Sequence, residues 1–134
     1  MANIYDKIAE YKDNKVAQVW DNGHTVILSI YDNMEEFINL SMIDYRETGS
    51  FYSVKVEEPL VINKVLMTSK EFKRLSESYY RRTKARAYKA IYAEIAVAKA
   101  LNGKHNNPYA VHGMGDVIAN GIKYEVKYGK EITL

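Results

Sequence analysis

The chain has 134 residues, of which 47% are hydrophobic, so it is the size of one domain and can bury a core without a disulfide staple. It contains no cysteine, which excludes disulfides and thiolate metal sites, and no stretch approaches the ~18 apolar residues of a membrane span. We therefore expect a single soluble domain over residues 1–134, located in the cytoplasm and without a membrane partner.

The net charge of +2 hides an asymmetry along the chain. Residues 1–69 contain 6 Lys or Arg against 11 Asp or Glu, residues 70–104 contain 10 against 3, and residues 105–134 contain 3 of each. A basic segment next to a group of carboxylates favours a polyanionic partner that is handled through a cation. The acidic first half offers a surface for a protein partner.

Residues 1–68 predict a β-rich N-terminal half. Valine and isoleucine dominate two stretches that Asp21-Asn22-Gly23 joins as a hairpin. Asp32 and Glu35 resemble a capping box that opens a helix at 33–40, although residues 38–45 fit a strand equally well. The predicted elements are a short amphipathic helix within 1–14, strands at 15–20 and 24–31, the helix at 33–40, a turn at 49–50, and strands at 51–57 and 60–67, separated by Pro59.

Residues 69–134 predict a long helix followed by a hairpin. Thr68 and Glu71 form a capping box at its start, and Gly103 supplies a C-terminal stop. One helix of about 34 residues would be ~50 Å long, so a break is expected near 76–78 or 81–83. The pattern continues as a loop at 105–108 and a short strand at 109–112.

Asn120-Gly121 lies between two apolar runs and predicts a two-residue hairpin turn. Counting outward pairs Ala119 with Ile122, Ile118 with Lys123, Val117 with Tyr124, and Asp116 with Glu125. Two carboxylates opposite each other are unfavourable unless a positive group lies nearby, and the period of two places Lys127 on the same face. The alternative is a solvent-facing hairpin whose acids are separated by Lys123 or Lys127.

Glu94 falls in the middle of the apolar arc of the predicted helix. A projection at 100° per residue places these residues together: Phe72, Tyr79, Tyr80, Ala87, Ala90, Ile91, Val97, Ala98 and Leu101. The opposite side carries Arg74, Arg81, Lys89, Tyr92 and Lys99. A carboxylate on a buried stripe costs several kcal/mol unless it is paired, protonated or bound to metal. We expect Glu94 to join the acids of the hairpin; a salt bridge with a core-edge Arg or Lys, or a helix break before Glu94, are the alternatives.

Glu94 in a small-residue helix at 91–101, Gly115-Asp116 and Glu125-Val126-Lys127 resemble the core of the PD-(D/E)XK nuclease superfamily. That superfamily includes type II restriction enzymes, Holliday-junction resolvases and repair nucleases. The resemblance covers about residues 85–128, and its motifs are short. It implies an α/β (α+β) fold with a restriction-endonuclease-like core, in which a long helix packs on a mixed sheet whose second and third strands carry the Asp and the E-x-K.

The resemblance implies a hydrolase that cuts DNA phosphodiester bonds with Mg²⁺ or Mn²⁺, in keeping with the preference of Mg²⁺ for carboxylates and waters. Asp116 and Glu125 would bind the ion with the carbonyl of Val126. Glu94 would bind a second ion or a water on it, and Lys127 would orient or deprotonate the attacking water. The compact chain suggests a phage or mobile-element origin.

The chain departs from the family pattern at two places. Gly115 stands where the family usually has Pro, and only seven residues follow Lys127, whereas the family core continues with another helix and strand. Either the β-rich first half supplies the missing layer, or a second subunit does so by swapping, or the core is reduced and inactive. A homodimer would also provide two active sites, one for each strand of a DNA duplex.

Residues 79–89 interleave tyrosines with cations, as a surface that tracks a nucleic-acid backbone and stacks bases would. The candidates for phosphate binding are Arg81, Arg82, Lys84, Arg86 and Lys89. A solvated basic helix with inward tyrosines explains the pattern equally well. The histidines lack zinc spacing, and His112 is a candidate neighbour of the site. The alternative function is non-catalytic: a degenerate nuclease fold that holds nucleic acid, or a small phage protein that inhibits a host factor.

Overall fold

The structure, a computed structural model, describes residues 4–48, 51–56, 59, 62–106 and 116–134. Within these ranges the chain is a mixed α+β protein with four helices and nine strands. In chain order they are α1 Ile4–Ala9, β1 Lys15–Asp21, β2 Thr25–Tyr31, α2 Met34–Ser41, β3 Met42–Thr48, β4 Phe51–Val56, β5 Lys64–Thr68, α3 Ser69–Thr83, α4 Tyr88–Ala100, β6 Lys104–His105, β7 Val117–Ala119, β8 Ile122–Tyr128 and β9 Glu131–Thr133.

The central sheet has six strands in the order β5-β2-β1-β8-β7-β6. Strands β1 and β8 are parallel, and Gln18 aligns with Lys127, whereas the other neighbours are antiparallel. Strands β3, β4 and β9 form a second, smaller sheet. The β-rich first half therefore supplies the strand beside β8. This is one of the expected ways in which the sheet could be completed.

Two hydrophobic cores cover the faces of the central sheet. On one face, side chains of α1, α2, β4 and β9 pack around Val16 of β1. On the other face, α3 and α4 pack through Phe72 and Val97 against the next residue of the strand, Ala17. Because neighbouring strand residues point to opposite faces, β1 contributes to both cores. The two halves of the chain thus share one sheet and its packing.

The first hairpin forms where the sequence predicts it. The Asp21 carboxylate accepts a hydrogen bond from the Gly23 amide, and the Asn22 side chain accepts bonds from the His24 and Thr25 amides, all at 2.8 Å. Gly23 has a φ of +92°, which only glycine adopts without strain. Helix α1 lies before this hairpin and falls within the predicted range 1–14. Of the four apolar residues at helical spacing, Ile4, Ile8 and Tyr11 are buried, whereas Tyr5 is 65% exposed.

The capping box of α2 lies one residue later than predicted. Asn33, not Asp32, accepts the amide of Glu36 at 2.7 Å, and the Glu36 carboxylate accepts the Asp32 amide at 2.6 Å. The helix therefore starts at Met34 and runs to Ser41, after which β3 begins at Met42. Both readings of residues 38–45 are thus partly correct.

The predicted long helix is two helices, and the break comes directly after the second of the two places expected for it, 81–83. Thr68 caps α3 through the amide of Glu71, as predicted, but α3 ends at Thr83 because Lys84 turns left-handed with a φ of 58°. The break resets the helical phase, so the single projection is wrong for several positions. Tyr92, predicted to face solvent, is 7% exposed, whereas Tyr80, predicted to be buried, is 41% exposed. Ala87 and Ala90 are exposed as well.

The end of α4 is held tightly against β7. Asn102, with a φ of 53°, takes the left-handed position, and the Gly103 amide donates to the Ala98 carbonyl at 2.8 Å. A Cβ on Gly103 would lie 2.6 Å from the Ile118 carbonyl oxygen and 2.8 Å from the Cβ of Ala119. Glycine is therefore required here for close approach to a strand, in addition to the predicted helix stop.

Several predicted features lie outside the described residues: the turn at 49–50, the strand at 109–112 with His112, and Gly115. None of the helices in the described ranges is both long and apolar enough to cross a membrane. In place of the predicted loop at 105–108, His105 belongs to the short strand β6, which pairs with the start of β7.

Candidate active site

The predicted register of the second hairpin is confirmed for three pairs, but Asp116 lies just outside the ladder, which runs from Val117 to Ala119 on its strand. The Asp116 amide donates to the Tyr124 carbonyl, and its Oδ2 accepts the Val126 amide, both at 2.8 Å. Asp116 is thus not simply opposite Glu125. Its carboxylate is held against the backbone of β8 at the residue between Glu125 and Lys127.

Glu125 and Lys127 lie together on one face of β8. The Nζ of Lys127 is 3.5 Å from Oε1 of Glu125, and the two side chains are only 10% and 14% exposed, respectively. Their neighbours on the strand, Tyr124 and Val126, belong to the core under α3 and α4. Glu125 and Lys127 therefore point toward the opposite face, where α1 packs, and do not form a solvent-facing hairpin.

Glu94, on α4, pairs with His105. The Oε1 of Glu94 lies 2.9 Å from Nε2 of His105, and the side chains are 17% and 23% exposed. The predicted partners of Glu94 were Arg, Lys or the other acids; His105 was not among them. Its spacing from Glu94 carries no metal or catalytic signature; only the pairing of β6 with β7 brings His105 to the site.

Burial makes the charged forms of all three acids unfavourable. It raises the pKa of Glu94 to about 8, with a further increase from the charge of Asp116 and a decrease from Lys127. It also raises the pKa of Glu125 to about 7, where Lys127 lowers the pKa and Asp116 raises it. Burial raises the pKa of Asp116 as well, although the hydrogen bond from the Val126 amide lowers it. These three acids, called the carboxylate cluster below, therefore influence one another.

The first half of the chain provides a wall of this site. Nζ of Lys127 lies 5.5 Å from the ring centre of Tyr11, which is 6% exposed. Burial and the charge of Glu125 raise the pKa of Tyr11 to about 12. Gln18, fully buried and aligned with Lys127, accepts a hydrogen bond from the Tyr31 hydroxyl at 3.2 Å. Neither Tyr11 nor Gln18 was predicted, because their proximity depends on the pairing of β1 with β8.

The donor types of the carboxylate cluster suit a hard divalent cation, although they do not form a ready-made cage. Among the described residues, no three His, Asp or Glu side chains are arranged to hold one ion together. Three acids share the charge of one ammonium, Lys127, and burial together with the charge of Asp116 keeps the pKa of Glu94 and Glu125 raised in spite of it. Oxygen ligands of this kind, with backbone carbonyls such as that of Val126, fit Mg²⁺ or Mn²⁺ chemically.

The predicted phosphate-binding residues are separate from the carboxylate cluster. Arg81 and Arg82 lie in the last turn of α3, and Lys89 lies in the first turn of α4. Lys84 and Arg86 lie in the connection between the two helices. All five side chains are exposed. Lys89 precedes Glu94 by five residues on the same helix, or ~7.5 Å along its axis. The basic surface and the acidic cluster therefore share α4.

These contacts define a site class: a mostly buried group of three carboxylates with one lysine, beside an exposed basic surface. The chain matches no protein-family model, no curated protein and no solved structure. What the protein does must therefore be inferred from the chemistry of this site.

Proposed function

We propose that the protein is a metal-dependent nuclease that hydrolyses phosphodiester bonds in DNA. The observation that carries the proposal is the convergence of Asp116, Glu125 and Lys127 on β8, with the charges of Asp116 and Lys127 acting on Glu94. Two acids and a lysine next to a strand backbone, with a third acid from a helix, suit phosphoryl chemistry better than acyl or hydride transfer.

The order of elements supports this proposal. Helix α4 carries Glu94, the second strand after it follows Asp116 directly, and the third strand carries Glu125 and Lys127. This order is similar to the one that the PD-(D/E)XK resemblance implies, except that Asp116 lies just before its strand and not on it. The strand β1 beside β8 extends the mixed sheet from within the same chain.

Asp116, Glu125 and the Val126 carbonyl would hold the cation, and Glu94 would bind a second ion or a water on it. A bound divalent cation would neutralise negative charge on the non-bridging phosphate oxygens. Asp116 is oriented for this role by the Val126 amide at 2.8 Å. For this, Glu94 would either give up its hydrogen bond with His105, or keep that bond through Oε1 and bind through its other oxygen, Oε2.

Lys127 supplies the positive group of the site. Its ammonium lies between the Glu125 carboxylate, at 3.5 Å, and the ring of Tyr11, at 5.5 Å from the ring centre. A fixed ammonium at this position can donate hydrogen bonds to an attacking water or to a phosphate oxygen. It would stabilise the charge that accumulates in the pentavalent transition state, an effect worth about 10²–10³ in rate for a single donor.

Cleavage of a nucleic-acid panel tests the proposal. Plasmid, linear duplex, single-stranded and branched DNA and RNA are incubated with Mg²⁺ or Mn²⁺, with EDTA in parallel. We expect metal-dependent cleavage that falls by about 10²-fold or more in Asp116→Asn and in Lys127→Met. Glu131→Gln, which changes an acid that is 68% exposed and pairs with Lys55, is the matched control and should cut like the wild type. Circular dichroism shows that each variant is folded.

The non-catalytic alternative is favoured by one observation, the lack of a ready-made metal cage among the described residues. It predicts that the wild type cuts no substrate and binds nucleic acid as well as Asp116→Asn and Lys127→Met do. That result would replace the nuclease by a binding protein, and a partner of the acidic first half would become the next target.

A further inference from the structure

The connection between α3 and α4 presents a pair of tyrosine rings. The chain turns at Lys84, and residues 84–87, called the elbow below, separate the two helices. The ring centres of Tyr80 and Tyr88, on either side of the elbow, are 5.0 Å apart at 43°. Tyr80 is 41% exposed, so this aromatic pair lies at the surface and not in the core.

Cations lie over one ring of this pair and over the neighbouring ring of Tyr79. The Nζ of Lys84 lies 5.7 Å from the ring centre of Tyr80, and the guanidinium carbon of Arg82 lies 5.9 Å from that of Tyr79. Five of the nine residues from 81 to 89 are basic and none is acidic. Exposed cations interleaved with ring faces complement a chain that carries both phosphates and unstacked bases.

A concave site continues this surface. A cavity of about 370 Å³ lies beside the start of α4, and three lysines line it: Lys70, Lys73 and Lys89. Its aromatic wall is formed by Tyr128 and Phe72, whose rings stack 5.3 Å apart at 25°. Two acids, Asp21 and Glu77, also line it, so it is not a simple anion site. An aromatic wall with polar groups around it suits an unpaired base, whereas a base inside a duplex cannot enter.

We propose that the elbow binds single-stranded nucleic acid, with bases stacked on Tyr80 and Tyr88 and phosphates on the surrounding cations. In a duplex the base faces are covered by their neighbours, so surface rings such as that of Tyr80 would gain little from them. The proposal rests on the proposed function, because it names the form of substrate that reaches the carboxylate cluster: a single strand or an unpaired segment.

Fluorescence anisotropy tests the proposal without cleavage. The full chain with Asp116→Asn is titrated, in EDTA, into a labelled single-stranded DNA of about 20 nucleotides, longer than common site sizes, and into its duplex form. The test variant carries Tyr80→Leu and Tyr88→Leu. The matched control is Tyr45→Leu, since Tyr45 is also exposed, at 47%, and its ring lies 6.1 Å from that of Tyr52, but in the acidic half.

We expect the single strand to bind at least about tenfold more tightly than the duplex, and the double variant to lose about tenfold or more of that affinity. Duplex binding should change less than about twofold, and Tyr45→Leu should change neither. Three results would overturn the proposal: equal affinity for both forms, an equal loss for both forms in the double variant, or no binding of either form.

The cleavage panel separates this proposal from the nuclease proposal. Selective single-strand binding through the elbow without any metal-dependent cleavage would keep the elbow site and reject the nuclease. Cleavage that is independent of Tyr80 and Tyr88, with equal binding of single strand and duplex, would keep the nuclease and reject the elbow site.

Discussion

Oε1 of Glu94 lies 2.9 Å from Nε2 of His105, and the pKa values of the two groups are shifted in opposite directions. Burial raises the pKa of Glu94 to about 8 and lowers the pKa of His105 below its usual value. Near neutral pH, in the metal-free protein, both groups are therefore mainly uncharged, and the protonated carboxyl of Glu94 donates a hydrogen bond to the imidazole nitrogen of His105. The pair is a neutral hydrogen bond and not a salt bridge.

The first prediction concerns stability and pH. The pKa of Glu94 is about 8 in the folded protein against 4.5 in the unfolded chain, so the folded state keeps a proton that the unfolded state has lost. The stability that this proton provides is complete below pH 4.5 and is lost as the pH rises through about 8. Glu125 acts in the same direction up to about pH 7, so Glu94 dominates above it. The free energy of unfolding of the metal-free protein should fall above pH 7, by at most about 1.4 kcal/mol per pH unit.

Urea unfolding from about pH 7 to about pH 9 measures this slope. Glu94→Gln removes the titrating group and should flatten the curve, whereas Glu131→Gln, at an exposed acid, should keep the wild-type slope. His105 titrates below its ordinary value of 6.5 and does not contribute in this window. A free energy of unfolding that rises with pH over this range would contradict the assignment.

The second prediction concerns metal binding. If the carboxylate cluster holds a divalent cation, the cation offsets the burial and the mutual repulsion that raise the pKa of Glu94 and Glu125, and it stabilises the folded state. A concentration 100-fold above the dissociation constant should add about 2.7 kcal/mol to the free energy of unfolding. Thermal unfolding with Mn²⁺ or Mg²⁺ at fixed ionic strength measures the effect. Asp116→Asn should lose most of it, and equal stabilisation of wild type and variant would show that the ions act elsewhere.

The third prediction separates the ring of Tyr11 from its hydroxyl. The ring lies 5.5 Å from the ammonium of Lys127, and such contacts contribute about 0.5–2 kcal/mol. Tyr11→Leu removes the ring and should slow metal-dependent cleavage by about 2- to 30-fold, provided that the nuclease proposal holds. Tyr11→Phe keeps the ring and should cut at a rate closer to that of the wild type. If both variants lose the same activity, the hydroxyl and not the ring supports Lys127.

The fourth prediction concerns Gly103. In Gly103→Ala, the new Cβ meets the backbone oxygen of Ile118, which cannot move without shifting β7. Overpacking of this kind typically costs about 1–3 kcal/mol, and chemical denaturation should show a loss in that range. Strand β6 carries His105, and β7 directly follows Asp116. The substitution should therefore also perturb the NMR signals of both residues.

Gly23 provides the matched control for Gly103. A Cβ at Gly23 has no atom within 4 Å, and the strain there comes only from its φ of +92°. Asparagine tolerates positive φ better than alanine, so Gly23→Asn should be less harmful than Gly23→Ala. At Gly103 asparagine should be no better than alanine. A benefit from asparagine at both positions would show that backbone strain, and not close approach, explains Gly103.

Features encoded in neighbouring residues were predictable from the sequence. The turns at Asn22-Gly23 and Asn120-Gly121 fixed both hairpins, and counting from the second turn gave three correct pairs. Asp116 departs from that count because its carboxylate takes the Val126 amide, a choice that strand periodicity does not contain. The expectation that Lys127 lies beside Glu125 is confirmed.

Features that depend on tertiary packing were predictable only in part. A helix break near 81–83 was expected from the length of the helical pattern, but no proline or glycine marks it, and its effect on the helical phase was missed. The break lets Tyr92 pack edge-on against Phe72, with ring centres 5.7 Å apart, and the gain from that contact is invisible to a projection of one helix. His105 and Tyr11 reach the site through strand pairings between distant segments, which leave no local pattern in the sequence.

The parallel pairing of β1 with β8 also has a kinetic consequence. Lys15 and Tyr124 are neighbours in the sheet although most of the chain separates them, and closing so long a loop slows folding. During synthesis, β1 and β2 emerge long before β8. The edge of β1 that faces away from β2 therefore stays unpaired until β8 has been synthesised. Lys127 and Tyr11 meet only at that step. The proposed cutting site should therefore be assembled late, and fragments that lack β8 should show no cleavage.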